Sequence, residues 1–519
     1  MADQLISPPV FPPKSPQSLI RGEESGYTNP MDEKDRRIKQ LEEENGCLKA
    51  AVARQEALIQ DLTQTLAALS RRVKELENRL SKDSHNSSYP PSSDRFSHVR
   101  RTRSLRERSE KPPGGQKGHQ EHHLDLVETP DDIQVHVLSQ CPDCQQDLAA
   151  CPVVSIERRQ VREVPVPRVV VTEHQAQHKY CPTCQRVQAA AFPEAVRATV
   201  QYGPGIQALA VYVNQYHLLP LARTSVLLRD LLGISVSTGS VLAWVQAAAE
   251  TLVSVEEQIK AALMSEVVKH KDETGAFALG ENGKQHWFHV TSSLRFTHYH
   301  FHRSRGRAAL LADGIMPADS SIYVHDCHSP YFTFEQCQHA LCGVHLLREL
   351  TSIQERYQQP WAEQMIWLLK TYKTIAAQAR ASGMSQLPQD WVRLMRACYI
   401  GILRQGQKAH PPVEVGPKPT RGRAKRSEAS LLVARLLKYR HEVLRFVSDL
   451  RVPFDNNLAE RDLRMIKLQQ KISGTFRSQA GAIAFARIRG YLSTLRKQGL
   501  DLFAGLRCTL AGHPLLPAF

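Results

Sequence analysis

The chain has no apolar run approaching the roughly 20 residues that span a bilayer, which excludes a transmembrane helix of the usual kind. Its first residues, MADQLISPPVFPPK, lack the basic-then-apolar order of a secretory signal. Acid is in deficit: Lys and Arg total 67 against 52 Asp and Glu, a formal charge of +15. That balance favours a polyanionic partner and says nothing of fold. Cysteine is not scarce, but four of the 11 sit in two CxxC pairs, the pattern of reduced and partly metal-bound thiols rather than of a disulfide framework. These features lead us to expect a cytoplasmic, nucleoid-associated protein with no membrane partner. At 519 residues the chain exceeds one core and should hold roughly three to four folded units.

Residues 1–30 carry Pro8, Pro9, Pro12, Pro13 and Pro16 and little apolar patterning, and read as disordered. A heptad repeat follows over 31–81. Its a positions are Ile38, Asn45, Val52, Ile59, Leu66, Val73 and Leu80; its d positions are Leu41, Leu48, Gln55, Leu62, Leu69 and Leu76. Mostly β-branched a residues with Leu at d favour a parallel two-stranded coiled coil, and Asn45 would fix its register. A homodimer or higher oligomer is therefore expected, the alternative being a long helix packed within its own chain. Residues 82–128 form a linker. Between Arg95 and Lys117 it holds eight basic residues against two acidic, a tract that could follow DNA phosphates or stay solvated.

Over 129–200 two knuckles nearly repeat: Cys141-Pro-Asp-Cys144-Gln and Cys181-Pro-Thr-Cys184-Gln. Four such thiolates suit one tetrahedral Zn²⁺, and the Val-rich alternating spacer reads as strands of a zinc ribbon. Cys151, His174 and His178 stand nearby as possible substitutes. Residues 201–260 read as helices. The break at Leu232-Gly233-Ile234-Ser235 resembles a helix-turn-helix, with Ser237, Thr238, Ser240 and Trp244 on or near the reading helix. An ordinary helical hairpin fits the same pattern.

From 261 to 480 the pattern is of strands and then alternating elements. Three strands, a helix over 306–313, a fourth strand ending at Asp326 and a short fifth give the order of a ribonuclease-H-like sheet. A helical insertion over about 346–450 carries a basic loop, KPTRGRAKR, and 481–519 forms a helical tail that should pack on the sheet. The stretch VPFDNNLAERDLRMIKLQQK (452–471) begins with a helix-blocking Pro453, and Asp455 or Asn456 suits the N-cap. Helical spacing sets Glu460, Arg464, Lys467 and Lys471 along one side, with Arg461 adjacent. A carboxylate in line with a basic row suits a metal ion facing a phosphate backbone; taken alone, it is also an ordinary solvated face.

Asp272, Asp326 and Glu460 come from separate elements and could share two Mg²⁺ (or Mn²⁺) ions. One would activate water or a 3′-hydroxyl and the other would stabilise the leaving oxygen at phosphorus. Lys467 could hold the terminal phosphate. Asn456 and Asn457, one turn before Glu460, could orient it or reach DNA. The phrases NSSYPPSSD with PPGGQKGH after a coiled coil, the doubled CxxC, DETG, HDCHSPY, LCGVHLLREL and PFDNNLAERDLR resemble the DDE transposases of bacterial insertion sequences, IS-sixty-six type.

That resemblance implies a multidomain α+β chain: an N-terminal coiled coil, a zinc ribbon, a helix-turn-helix that reads DNA ends, and a ribonuclease-H-like catalytic domain with a helical insertion. It implies the triad Asp272, Asp326 and Glu460, with Lys467 downstream, and family members are often encoded beside small accessory proteins. One departure is local: Cys327-His328 stand where the family has Gly-Tyr, and Asp313 is the alternative for the second acid. Cys342 and His345 also match, for packing or for metal. The expected activity is metal-dependent nicking of 3′ ends at terminal inverted repeats and strand transfer into target DNA. The rivals are a non-enzymatic, sequence-specific DNA-binding regulator and a ribonuclease-H-like nuclease that cuts without joining.

Overall fold

A computed structural model describes residues 30–80, 124–164, 167–278, 285–316, 321–410 and 427–519. The expectations for residues 1–29, for most of the basic linker and for the basic loop at 418–426 lie outside this set. The chain divides into two compact units, Met1–Ser81 and Lys82–Phe519.

The described part of the first unit is one helix, α1 (Pro30–Leu80), 51 residues long. Its heptad side chains are exposed, Leu48 at 63%, Ile59 at 62% and Leu66 at 67%. A helix this long gains little from propensity alone, so an apolar stripe left in water is surface awaiting a cover. Among the described residues no helix is long and apolar enough to cross a membrane.

In the second unit, residues 124–200 contain one regular element, the hairpin of β1 (His178–Cys181) and β2 (Arg186–Ala189). Of the Val-rich spacer expected as strands, only its end, His178–Tyr180, is strand; the described residues from Val153 to Gln177 form none, and Val154, Val161 and Val171 are almost wholly exposed. Alternation supplies β-propensity, but no facing layer buries one side, and propensity without packing does not make a sheet.

Next come α2 (Pro204–Val211, continued by a π-turn to Tyr216), α3 (Leu221–Leu232), α4 (Thr238–Thr251) and α5 (Val253–Ser265). Gly233 ends α3 with φ 68°, a left-handed conformation in which glycine has no Cβ penalty. Ser237 caps α4 by accepting from the Ser240 amide at 3.0 Å. Trp244, expected on or near the reading helix, lies on α4 and is half-buried, packed edge-on against Tyr202 at 5.6 Å and against the core. The exposed side of α4 is instead Thr238, Leu242, Ala243 and Gln246.

The sheet has five strands: β3 (Val268–Phe277), β4 (Gln285–Ser292), β5 (Thr297–His302), β6 (Ile322–His325) and β7 (Gln338–Leu341), in the order β5-β4-β3-β6-β7. The first three are antiparallel neighbours, and β6 runs parallel to both β3 and β7. A short helix, α6 (Arg307–Asp313), links β5 to β6. The insertion is helical: α7 (Gly343–Tyr357), α8 (Pro360–Ala381), α9 (Gln389–Ala409), α10 (Glu428–Lys438), α11 (Arg440–Val443) and α12 (Arg445–Ser448). These helices and the β6–β7 edge share one core, with Leu350, Leu369, Tyr399 and Val452 fully enclosed.

Then α13 (Asn457–Ser473) packs on β3 and β4, α14 (Gln479–Lys497) on β5, and α15 (Leu502–Leu510) closes the chain. A Cβ on Gly490 would lie 3.1 Å from the Thr297 carbonyl oxygen, so glycine is what allows α14 to sit this close to the strand. The tail packs on the sheet as expected, and it also forms one core with α2, α4 and α5. The helices of 201–260 are therefore not a free-standing module.

Candidate functional site

Strand alternation sorts the polar residues of β3 onto two faces. His270 and Asp272 point one way, Lys271 and Glu273 the other. The parallel register pairs His270 with Val324, so Asp272 and Asp326 each stand two residues past the same rung, on the same face. Beyond β6 the chain turns at once: the Asp326 carboxylate accepts the His328 amide at 3.1 Å, and a 3₁₀ turn follows over Ser329–Thr333. Cys327-His328 thus supply the turn without the glycine usual there.

The third acid arrives on α13. Asn456 is buried, and its side chain does not cap the helix as expected. Its amide donates to the Lys271 carbonyl at 2.8 Å and its oxygen meets His270 Nδ1 at 2.9 Å, while its backbone N–H reaches Cys342 Sγ. Asp455 accepts the Asn457 amide instead, at 3.2 Å. Asn456 is therefore a bolt between β3 and α13, and its 1% exposure removes it from the DNA-contacting set. Asn457 is exposed at the first position of the helix.

A second bolt joins the insertion. Gly343 donates its N–H to the Phe454 carbonyl at 2.8 Å, and a Cβ there would fall 2.2 Å from the Phe454 ring. This contact sets the first turn of α7 against the entry to α13. Cys342, His345 and Glu460 consequently offer ligand atoms within 4.8 Å of one another, His345 Nδ1 standing 3.6 Å from Glu460 Oε1. That oxygen is buried and makes no hydrogen bond.

Asp272 and Asp326 are in no group of three ligand atoms within 4.8 Å among the described residues, but both acids and Glu460 are near enough to interact by charge. Burial, and then the charges of Glu273, Asp326 and Glu460, lift the Asp272 carboxyl well above the usual carboxylate range. Glu273 is raised by burial and by Asp326, against the pull of Tyr331 and Arg305. Tyr331 donates its hydroxyl to Glu273, and Arg305 grips the same carboxylate at 2.8 Å. Burial and the Glu460 charge push the Cys342 thiol up to about 12. Crowded acids that resist ionising together are what a divalent cation relieves, and the hard oxygen donors suit Mg²⁺ or Mn²⁺.

Along α13, Lys467 is half-buried and donates to the Gly275 carbonyl at 3.3 Å, beside Gln470 at 3.2 Å; burial lowers its pKa. Arg461, Arg464 and Lys471 are exposed. Asp313, the alternative second acid, lies on the opposite sheet face from Asp272, in a closed ion pair with Lys271 at 2.6 Å. At the knuckles, Cys141 and Cys181 are half-buried, Cys144 and Cys184 exposed. The residue after each pair, Gln145 and Gln185, has φ of 59° and 50°, so the two turns share one shape. Backbone amides, those of Cys144 and Cys184 foremost, lower the Cys141 and Cys181 thiols. Among the described residues two groups have metal-ligand atoms within 4.8 Å of one another, and none of these four thiols is in either.

Sequence reasoning did not single out Glu273, Arg305 and Tyr331. Strand alternation places Glu273 back to back with Asp272, but the partners come from loops whose approach no local pattern specifies.

A profile described as "Family of unknown function (DUF6444)" matches residues 28–125. An uncharacterized protein of Sinorhizobium fredii, y4jO, is 33% identical over 88 residues, which is 17% of this chain. The match spans 27% of that protein's length. A profile described as "Transposase IS66 family" matches residues 199–484, more than half of the chain, and runs from the α2 helix through the sheet and insertion to α14. The chain therefore belongs to the IS66 family of transposases.

Proposed function

We propose that this transposase binds the terminal inverted repeats of its own insertion sequence, nicks the 3′ ends and joins them to target DNA, using Asp272, Asp326 and Glu460 as a DDE triad. The observation that carries the reading is the placement of Asp272 and Asp326 two residues past one rung of adjacent parallel strands, with Glu460 brought over them by α13. The strand order, three antiparallel and two parallel strands with one acid on the central β3 and the other just past the end of its neighbour β6, supports a ribonuclease-H-like domain.

Asp272, Asp326 and Glu460 would hold Mg²⁺ or Mn²⁺, which supplies Lewis-acid activation of the attacking oxygen and charge neutralisation at phosphorus. The chain's own residues do the rest. Asn456 and Gly343 fix the carboxylate-bearing helix on the sheet, as preorganisation requires. Arg461, Arg464 and Lys471 present an exposed basic row to DNA phosphates, and Lys467 stands on the same helix beside the end of β3. The Glu273–Arg305–Tyr331 tie holds the Asp326 turn against β3.

The remaining modules serve the ends. The exposed heptad face of α1 supports a parallel coiled-coil dimer, so that two ends can be held together. The equal turns of the two knuckles support a structural Zn²⁺ on Cys141, Cys144, Cys181 and Cys184. The α3–α4 hairpin, with its Ser-capped second helix, is the candidate end-reading element. The small accessory proteins often encoded beside family members, and the nucleoid association expected from charge and cysteine usage, belong to the same proposal.

The test is a strand-transfer assay on labelled terminal-repeat DNA with Glu460→Gln. The variant should bind the ends with unchanged footprint yet neither nick nor join. Full activity ends the triad assignment; metal-independent binding with no nicking by the wild-type protein favours a DNA-binding regulator; cutting without joining favours a nuclease.

A further inference from the structure

The sheet face turned away from Asp272 carries its own polar cluster. Cross-strand register sets Lys271 beside Thr291 and Thr291 beside His298, then Glu273 beside His289 and His289 beside His300. His298 and His300, two apart on β5, therefore project to the same side, where α6 ends at Asp313. The ligand atoms of His298, His300 and Asp313 lie within 4.8 Å of one another. His298 Nε2 and Asp313 Oδ1 face each other at 3.1 Å. These two atoms and His300 Nε2 are buried; the first two have only each other, and His300 Nε2 has no hydrogen-bond partner among the described residues, a costly state for a buried ring nitrogen.

We propose that His298, His300 and Asp313 bind one first-row divalent transition-metal ion, zinc as the reference, at a site separate from both the catalytic acids and the cysteine knuckles. Two imidazoles and a carboxylate with a fourth position left for water form a familiar zinc donor set. The outer shell fits as well. The second ring nitrogen of His298 lies 3.6 Å from Glu256 Oε1, just beyond hydrogen-bond length, and Arg487 Nε donates to the other oxygen of that carboxylate at 2.6 Å; a small approach would make the bond that orients a ligand histidine. Burial brings His300 down to about 4, so it is neutral near pH 7. Burial works to raise Asp313, but Lys271 and then His298 outweigh it and hold the carboxyl well below its usual range.

Lys271 selects the kind of ion. Its ammonium sits on Asp313 Oδ2 at 2.6 Å, leaving Oδ1 to the cluster, and it repels any cation placed there. A hard ion held by charge alone is disfavoured, whereas an ion that bonds well to imidazole nitrogen is retained; zinc, not magnesium, should bind. The ion would clamp the edge strand β5 to the end of α6, behind the strand that bears Asp272.

The experiment is zinc uptake by the full chain, by equilibrium dialysis with excess Mg²⁺ present, after alkylating exposed thiols with iodoacetamide to silence the knuckles. The wild-type protein should still bind zinc, and His300→Gln should bind about one equivalent less. The double variant K271M/D313N, which removes both halves of the buried pair and so strands no charge, should lose the same equivalent while keeping the wild-type circular dichroism. Zinc uptake wholly abolished by alkylation overturns the proposal. So does a folded variant of either kind that takes as much zinc as the wild type. Because none of the four residues carries the DDE assignment, these outcomes are independent of the strand-transfer test.

Discussion

Gly343→Ala is the sharpest test of how the third acid is placed. The added methyl carbon would lie 2.2, 2.4 and 2.6 Å from three carbons of the Phe454 ring. Ordinary carbon contacts are about 3.5–4.0 Å, so the ring or the helix must move by more than an ångström. Phe454 is 3% exposed and packs edge-on against Phe446 at 5.0 Å, which leaves the ring little room. Overpacking of this kind costs about 1–3 kcal/mol. The displaced segment is the one that leads through Asn456 into Glu460, so activity should fall further than stability. A misplacement near 1 Å is enough to cost about a hundredfold in rate.

The assay pairs a thermal melt with single-turnover strand transfer. A second variant, Phe454→Leu, removes the ring the methyl would strike. The combination Gly343→Ala with Phe454→Leu should recover part of both losses, a coupling of about 0.5–3 kcal/mol in the double-mutant cycle. Gly343→Ala with wild-type melting and wild-type strand transfer refutes the argument. So does a double variant whose losses simply add.

Asn456→Ala should destabilise the chain by about 2–4 kcal/mol in denaturant unfolding, since it strips partners from two buried groups, His270 Nδ1 and the Lys271 carbonyl. Lys271→Met alone should cost about 3–5 kcal/mol by leaving Asp313 buried and unpaired, while K271M/D313N should cost far less in the same measurement. Leu62→Asp on α1 should leave the melting of the second unit unchanged and halve the mass seen by sedimentation equilibrium; an unchanged mass removes the zipper. Arg464→Ala and Lys471→Ala should each weaken end binding at every sequence and lower the slope of log affinity against log salt by about 1, with a slope that does not move placing these side chains off the DNA.

Much of the secondary structure was legible because it rests on local rules. The 3.5-residue repeat marks α1, the Ser237 cap marks α4, and runs of alternating residues bounded by turn formers mark each strand of the sheet. The order of strands and acids also follows from chain order alone, which is why Asp272, Asp326 and Glu460 could be named without coordinates. Local rules failed where packing decides. The Val-rich spacer has the alternation of strands but no layer to face. Trp244 sits at a plausible reading position, yet it is half-buried against the Tyr202 ring and the core. Asn456 is a good cap by type, and its side chain is used instead to join two elements 185 residues apart along the chain.

What the sequence determined by itself is therefore the set of elements, their order, the basic charge that suits a phosphate partner, and three acids spaced along the chain. Tertiary structure alone decided which groups meet: Glu460 with Cys342 and His345, Asp313 with Lys271 rather than with Asp272, and two histidines of one strand with an aspartate at the end of a neighbouring helix. The reason is that periodicity tells each side chain which face of its own element it occupies, whereas its partner is chosen by where another element comes to rest. That position is set by close approaches such as the one at Gly343, which leave no trace in the local pattern.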